Sequence, residues 1–146
     1  MFPAVDKEYI IKLRHEIHEY PELEFDLPKT LAVVRRELDA LQIPYTEAYG
    51  KSSIVGYLNP QCKDFTIGIR ADMDALPMGE ESGLDFACPT GTEAHTCGHD
   101  FHAAMLLTAI TSHAQYSTRE RGAGTLIVTA VERYNNGEVK LLKEFR

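Results

Sequence analysis

Two hydrophobic periods alternate along this chain, and their order restricts the fold more than any other feature of the sequence. Tyr9, Ile10, Leu13 and Ile17 recur at helical spacing behind Asp6, a good N-cap, in a segment that ends before Pro21. Pro28 suits a first helical turn, and Leu31, Val34, Leu38 and Leu41 continue that helix towards Pro44. The period then shortens. Residues 53–58 and 65–71 read as strands, the second with Phe65, Ile67 and Ile69 alternating with Thr66, Gly68 and Arg70. A helix over 101–114 follows, with Asp100 as its cap and Met105, Leu106, Ala109 and Ile110 as its buried stripe. A strand over 125–131, a turn at Asn135-Asn136-Gly137 and a short terminal helix complete the expectation. Helix, helix, strand, strand, helix, strand, helix implies a layered α/β fold.

In such sheets, functional groups collect at the carboxyl ends of strands and the amino ends of helices. Asp72 and Asp74 occupy the first kind of position. Cys97, His99 and Asp100 occupy the second, and the long Gly-, Pro-, Ser- and Thr-rich segment 77–98 lies between the two groups.

The segment Ala94-His95-Thr96-Cys97-Gly98-His99-Asp100-Phe101-His102 concentrates imidazole, thiolate and carboxylate, the ligands of divalent first-row ions. Cys97 and His99 straddle a glycine that gives the backbone freedom to aim both at one ion. Taken alone, a Cys-x-His pair is also an ordinary incidental pattern. Asp72 and Asp74 lie two apart on an extended segment and share a face. Carboxylates held that close want a cation nearby, or an orienting role behind a metal-bound histidine. The plainer alternative is a solvated strand end with Arg70 reaching one of them. Glu132, just past an apolar strand, suits a general base or an ordinary loop. His15 and His18, on the first helix, read as surface or packing residues, and His113 as a complement to a helix dipole.

The chain has 146 residues, enough for one domain with a real core. Its net charge of −7 argues against nucleic acid as a partner. No apolar run approaches a membrane span, and the amino terminus has no basic and apolar signal regions, so a cytoplasmic protein is expected. Three widely spaced cysteines, Cys62, Cys88 and Cys97, do not form a disulfide framework.

Three segments taken together resemble the amidohydrolase branch of the M20 metallopeptidase family: Leu13 to Leu23, Arg70 to Pro77, and His95 to His102 with Met105-Leu106-Leu107. That branch includes hippurate hydrolase, N-acyl-amino-acid amidohydrolases and N-acetyldiaminopimelate deacetylase. The resemblance implies a zinc-peptidase-like α/β catalytic domain, of which residues 1–146 are an amino-terminal part lacking the lid domain and the returning half of the sheet. It further implies zinc, manganese or cobalt, two ions in a complete site, and an N-acyl amino acid or short peptide as substrate. By position, Cys97 and His99 correspond to metal ligands, Asp72 to the catalytic aspartate and Asp74 to its companion.

The sequence departs from the family after the last apolar strand, where the family carries two glutamates, a base and a ligand. Registered on Asn136-Gly137-Glu138-Val139, Glu132 takes the place of the base and Arg133 that of the ligand. A slip of one residue would make Glu132 the ligand and leave no base. A cation beside a dication opposes metal binding. Two main readings follow, a metal-dependent amidohydrolase and a non-catalytic remnant that binds at most one ion or serves as an interaction module. A small structural zinc protein is a third, poorly supplied with ligands. An open apolar face or strand edge, and hence self-association, is expected of a sheet without its returning strands.

Overall fold

The computed structural model describes residues 5–61, 66–117 and 125–130. Helix α1 (Lys7–His18) starts where the Asp6 carboxylate accepts the Tyr9 N–H at 3.1 Å. Helix α2 (Pro28–Ala40) has Leu27 at its N-cap, which offers no side-chain bond. Glu22 substitutes from a distance, accepting the N–H groups of Lys29 and Thr30 at 2.9 Å each. The Tyr9 hydroxyl donates to Glu37 at 2.7 Å and ties the two helices together.

Strands β1 (Tyr45–Thr46), β2 (Ile54–Leu58), β3 (Thr66–Ala71) and β4 (Thr125–Ala130) form one sheet in the order β1-β2-β4-β3. β2 runs antiparallel to β1 and to β4, with Ile54 opposite Ala130. β3 pairs parallel with β4, Thr66 opposite Thr125, and the crossover between them is helix α3 (His99–Ser117). The expected α/β layering is therefore observed, as a mixed sheet. The two-residue strand β1 was not expected.

The core lies between the sheet and the helices. Leu13 and Ile17 of α1, Leu31, Val34 and Leu38 of α2, Ile54 and Leu58 of β2, and Leu106, Leu107 and Ile110 of α3 are all buried.

One expectation for burial is corrected. On α3, Met105 and Ala109 are exposed, and the buried stripe is instead Ala103, Ala104, Leu106, Leu107, Thr108 and Ile110. On β3, Thr66 to Arg70 are all exposed, Ile67 by 51% and Ile69 by 40%, on a strand that is at the sheet edge among the described residues. Among those residues no helix is long and apolar enough to cross a membrane. The turn at 135–137 and the terminal helix expected from sequence lie outside them.

Candidate metal centre

The chain leaves β3 at Ala71 and is held on both sides as it does so. The Ala75 N–H donates to the Glu22 carbonyl at 2.7 Å. Leu76 and Ala94 exchange two backbone hydrogen bonds, each 3.0 Å, so the segment between them leaves and returns at one point. Asp72 and Asp74 are thereby placed at one end of the segment, and His95 to His99 at the other.

Gly98 makes the turn into α3 with φ of +78°, a left-handed conformation that side chains rarely tolerate. The His102 N–H then donates to the Gly98 carbonyl at 3.2 Å. The helix begins at His99, not after Asp100, so Asp100 is not its cap. Its carboxylate is fully buried and turns inward to α1 instead. Arg14 Nε donates to Asp100 Oδ2 at 2.9 Å, and His18 Nδ1 meets the same oxygen at 2.7 Å.

His99 is the centre of the arrangement. Its Nδ1 faces Asp74 Oδ1 at 2.6 Å and the Asp74 carbonyl at 3.0 Å. Both are acceptors, so Nδ1 carries the hydrogen, and Nε2 of the neutral ring is left with its lone pair. A carboxylate behind one ring nitrogen with the other free to ligate is the arrangement found behind metal-bound histidines. Nε2 points towards Asp72, whose Oδ2 is 3.9 Å away, and the His102 ring stacks on the His99 ring at 5.5 Å. One ligand atom from each of Asp72, His99 and His102 falls within 4.8 Å of the others.

Nitrogen and carboxylate donors suit zinc, manganese or cobalt. Donors bonded to zinc at about 2.0–2.2 Å stand about 3.4 Å apart on a tetrahedron, so the His99–Asp72 gap must close by about half an ångström. The residues present fit a divalent ion. Beside them a cavity of about 390 Å³ is lined by Ile69, Arg70, Asp72, His102, Met105 and Leu106. Arg70 pairs with Asp72 Oδ1, so the solvated-strand-end alternative and the metal reading share one carboxylate.

Of the residues expected from sequence, the structure brings Asp72, Asp74 and His99 together. Cys97 is exposed, and it does not belong to the three-residue cluster found among the described residues. Glu132 and Arg133 lie outside those residues. His102 joins the cluster although it lies outside the Cys-x-His pair. Its signal was its position one helical turn after His99, which places both rings on one face. His95 is buried with no hydrogen-bond partner for either ring nitrogen among the described residues. Burial pushes it down to about 4, against the pull of the Asp100 charge, so its ring is neutral near pH 7.

The model of peptidase family M20/M25/M40 matches residues 68–144, just over half of the chain and inclusive of Asp72, Asp74, Cys97, His99 and Glu132. The chain is 40% identical over 115 residues to hippurate hydrolase of Campylobacter jejuni, covering 79% of this chain and 29% of that protein. It is 32% identical over 135 residues to N-acetylcysteine deacetylase of Bacillus subtilis, covering 92% and 36%. Its fold matches the crystal structure of a dinuclear metal-binding M20 peptidase from Bacillus subtilis. That match has a TM-score of 0.78 and 31% identity, and covers 87% of this chain and 36% of that one. The chain thus spans about a third of the length of these relatives. On the family match and these likenesses, the chain belongs to peptidase family M20/M25/M40.

Proposed function

We propose that this chain is the amino-terminal part of the catalytic domain of a metal-dependent amidohydrolase that cleaves the amide bond of N-acyl amino acids. The observation that carries the reading is His99, with Asp74 behind Nδ1, Asp72 towards Nε2 and His102 stacked beside the ring. The family supports hydrolysis of small amide or peptide substrates, and two relatives are named for acyl-amino-acid cleavage.

In this reading His99 and Cys97 hold a zinc, manganese or cobalt ion, with a second ion in a complete site. Asp72 and His102 lie close enough to His99 to contribute. Bound there, the ion supplies a polarised carbonyl and a water acidic enough to react near neutrality. Asp74 keeps the His99 ring in one tautomer and one orientation. Asp72 neutralises charge in front of the ring, and Arg70 holds Asp72 in place. Glu132 takes the proton from water and returns it to the leaving amine. A cytoplasmic location and self-association through the β3 edge belong to the same proposal.

The test is release of free amino acid from N-acetyl and N-benzoyl amino acids by the chain loaded with zinc or manganese. Activity that Glu132→Ala abolishes supports the reading. A second reading rests on the register set by Asn136-Gly137-Glu138-Val139, which puts Arg133 where the resemblance implies an anionic ligand. In that reading the chain is a non-catalytic remnant holding at most one ion. Loaded protein that binds metal yet releases no amino acid decides for it.

A further inference from the structure

The buried imidazole of His18 has no part in the chemistry proposed above, yet it joins a loop to the helical turn that carries His99. Its Nδ1 meets Asp100 Oδ2 at 2.7 Å and its Nε2 meets Glu80 Oε1 at 2.9 Å. The His18 side chain is 7% exposed, that of Glu80 7% and that of Asp100 fully buried. Each ring nitrogen faces one carboxylate oxygen, so the ring makes both contacts at once.

Glu80 belongs to the segment that leaves and returns at the Leu76–Ala94 bridge. Its other oxygen accepts the Cys88 N–H at 3.3 Å, which organises the interior of that loop. Phe86, further along the loop, stacks on His15 at 3.6 Å between ring centroids. Asp100 follows His99 directly in the first turn of α3. The loop, α1 and the start of α3 are thus linked through one ring.

We infer that His18 is a positioning residue: by bonding Glu80 and Asp100 together it couples the seating of loop 77–93 to the orientation of the His99 ring. The inference rests on the role proposed for His99, but its readout needs no metal. A loop that lifts from α1 withdraws Glu80, which frees one side of His18 and loosens its hold on Asp100. His99, one residue earlier in the same turn, then loses its fixed approach to Asp74. The seating of the loop and the readiness of the metal-binding ring become one event.

The experiment uses the full metal-free chain with nitrogen-labelled histidine. The His99 Nδ1 resonance reports its bond to Asp74, and amide exchange reports the loop and the first turn of α3. Glu80→Ala touches no residue of α3, yet it is expected to shift the His99 resonance and speed exchange over 99–102 by about tenfold, the effect of losing a hydrogen bond to a charged group. Thr92→Ala, which removes hydroxyl bonds to Thr90 and Glu93 within the loop and leaves the Glu80–His18 contact in place, leaves both unchanged. In a His18→Leu background, Glu80→Ala adds nothing further.

A loosened loop with an unmoved His99 resonance in Glu80→Ala overturns the inference. An effect of the same size with and without His18 also overturns it. Should His18→Leu fail to fold, the Glu80→Ala and Thr92→Ala comparison decides alone. Metal titration of the same samples is read separately, so a chain that binds no ion fails the proposed function and leaves this test intact.

Discussion

Asp74 Oδ1 lies 2.6 Å from His99 Nδ1, and this contact turns an ordinary histidine into a ring with one usable ligand atom. Removing it frees the ring to rotate and to change tautomer. Asp74→Asn is expected to weaken zinc or manganese binding by about tenfold to a hundredfold, as loss of such a partner does elsewhere. Isothermal titration measures it, and unchanged affinity would count against the role given to Asp74.

Cys97 carries an exposed thiol, and Cys88 a half-buried one that provides an internal comparison. If Cys97 ligates the ion, loading with zinc slows its alkylation while Cys88 labelling is unaffected, as mass spectrometry of the labelled peptides reads directly. Equal labelling of Cys97 with and without metal removes it from the ligand set. His102→Ala should then show the larger loss of affinity, leaving Asp72, His99 and His102 as the donors.

Leu38 is 1% exposed and packs among Ile54, Leu58 and the α3 side chains of the central core. Leu38→Ala should cost about 2–5 kcal/mol, the range for a buried leucine whose cavity cannot fully collapse. Urea denaturation with an unchanged slope would confirm that the loss is one of packing.

Burial alone would raise the Glu80 carboxyl, but hydrogen bonds from Ser82, His18 and the Cys88 N–H outweigh it and hold it below its ordinary 4.5. A carboxyl held low in the folded state contributes stability that is complete above 4.5 and is lost as pH falls through the lower folded value. Thermal melts of wild type and Glu80→Gln should therefore differ most above pH 4.5 and converge on acidification. A gap that widens in acid would contradict the assigned direction.

Ile67 and Ile69 expose apolar surface on β3, an edge strand among the described residues. Sedimentation velocity should find oligomers that Ile69→Lys disperses. A wild-type chain that is monomeric at all concentrations would exclude this edge as a contact.

The elements legible in the sequence are those whose causes are local. Asp6 and Pro28 mark helix starts because capping and a fixed φ act within a single turn. β2 is legible from its own residues, whereas β1 is two residues long and exists only because Gly56 and Val55 lie opposite. The buried face of α3 is not legible, because Met105 and Ala109 are apolar and only the sheet decides which side of the helix is covered. Asp100 looked like a cap by position, but Arg14 and His18 draw it inward across more than eighty residues. That contact was signalled only by Arg14 and His18 falling one turn apart on α1. Asp72, Asp74 and His99 were legible as a group because strand ends and helix starts converge in any layered sheet of this kind. Which oxygen faces which nitrogen was not, since that depends on how the 77–93 loop closes.

The parallel pairing of β3 with β4 bears on how the molecule is made. Thr66 finds its partner at Thr125, and β3 pairs with no other described strand. During synthesis, α1, α2 and β2 can begin to collapse while β3 is still without a neighbour. Only when Thr125 to Ala130 have cleared the ribosome can β3 be locked in place, and with it the strand end bearing Asp72 and Asp74. The two aspartates therefore reach His99 only after residue 130 has been made, and a nascent chain stalled before that point would carry the ligands without the site.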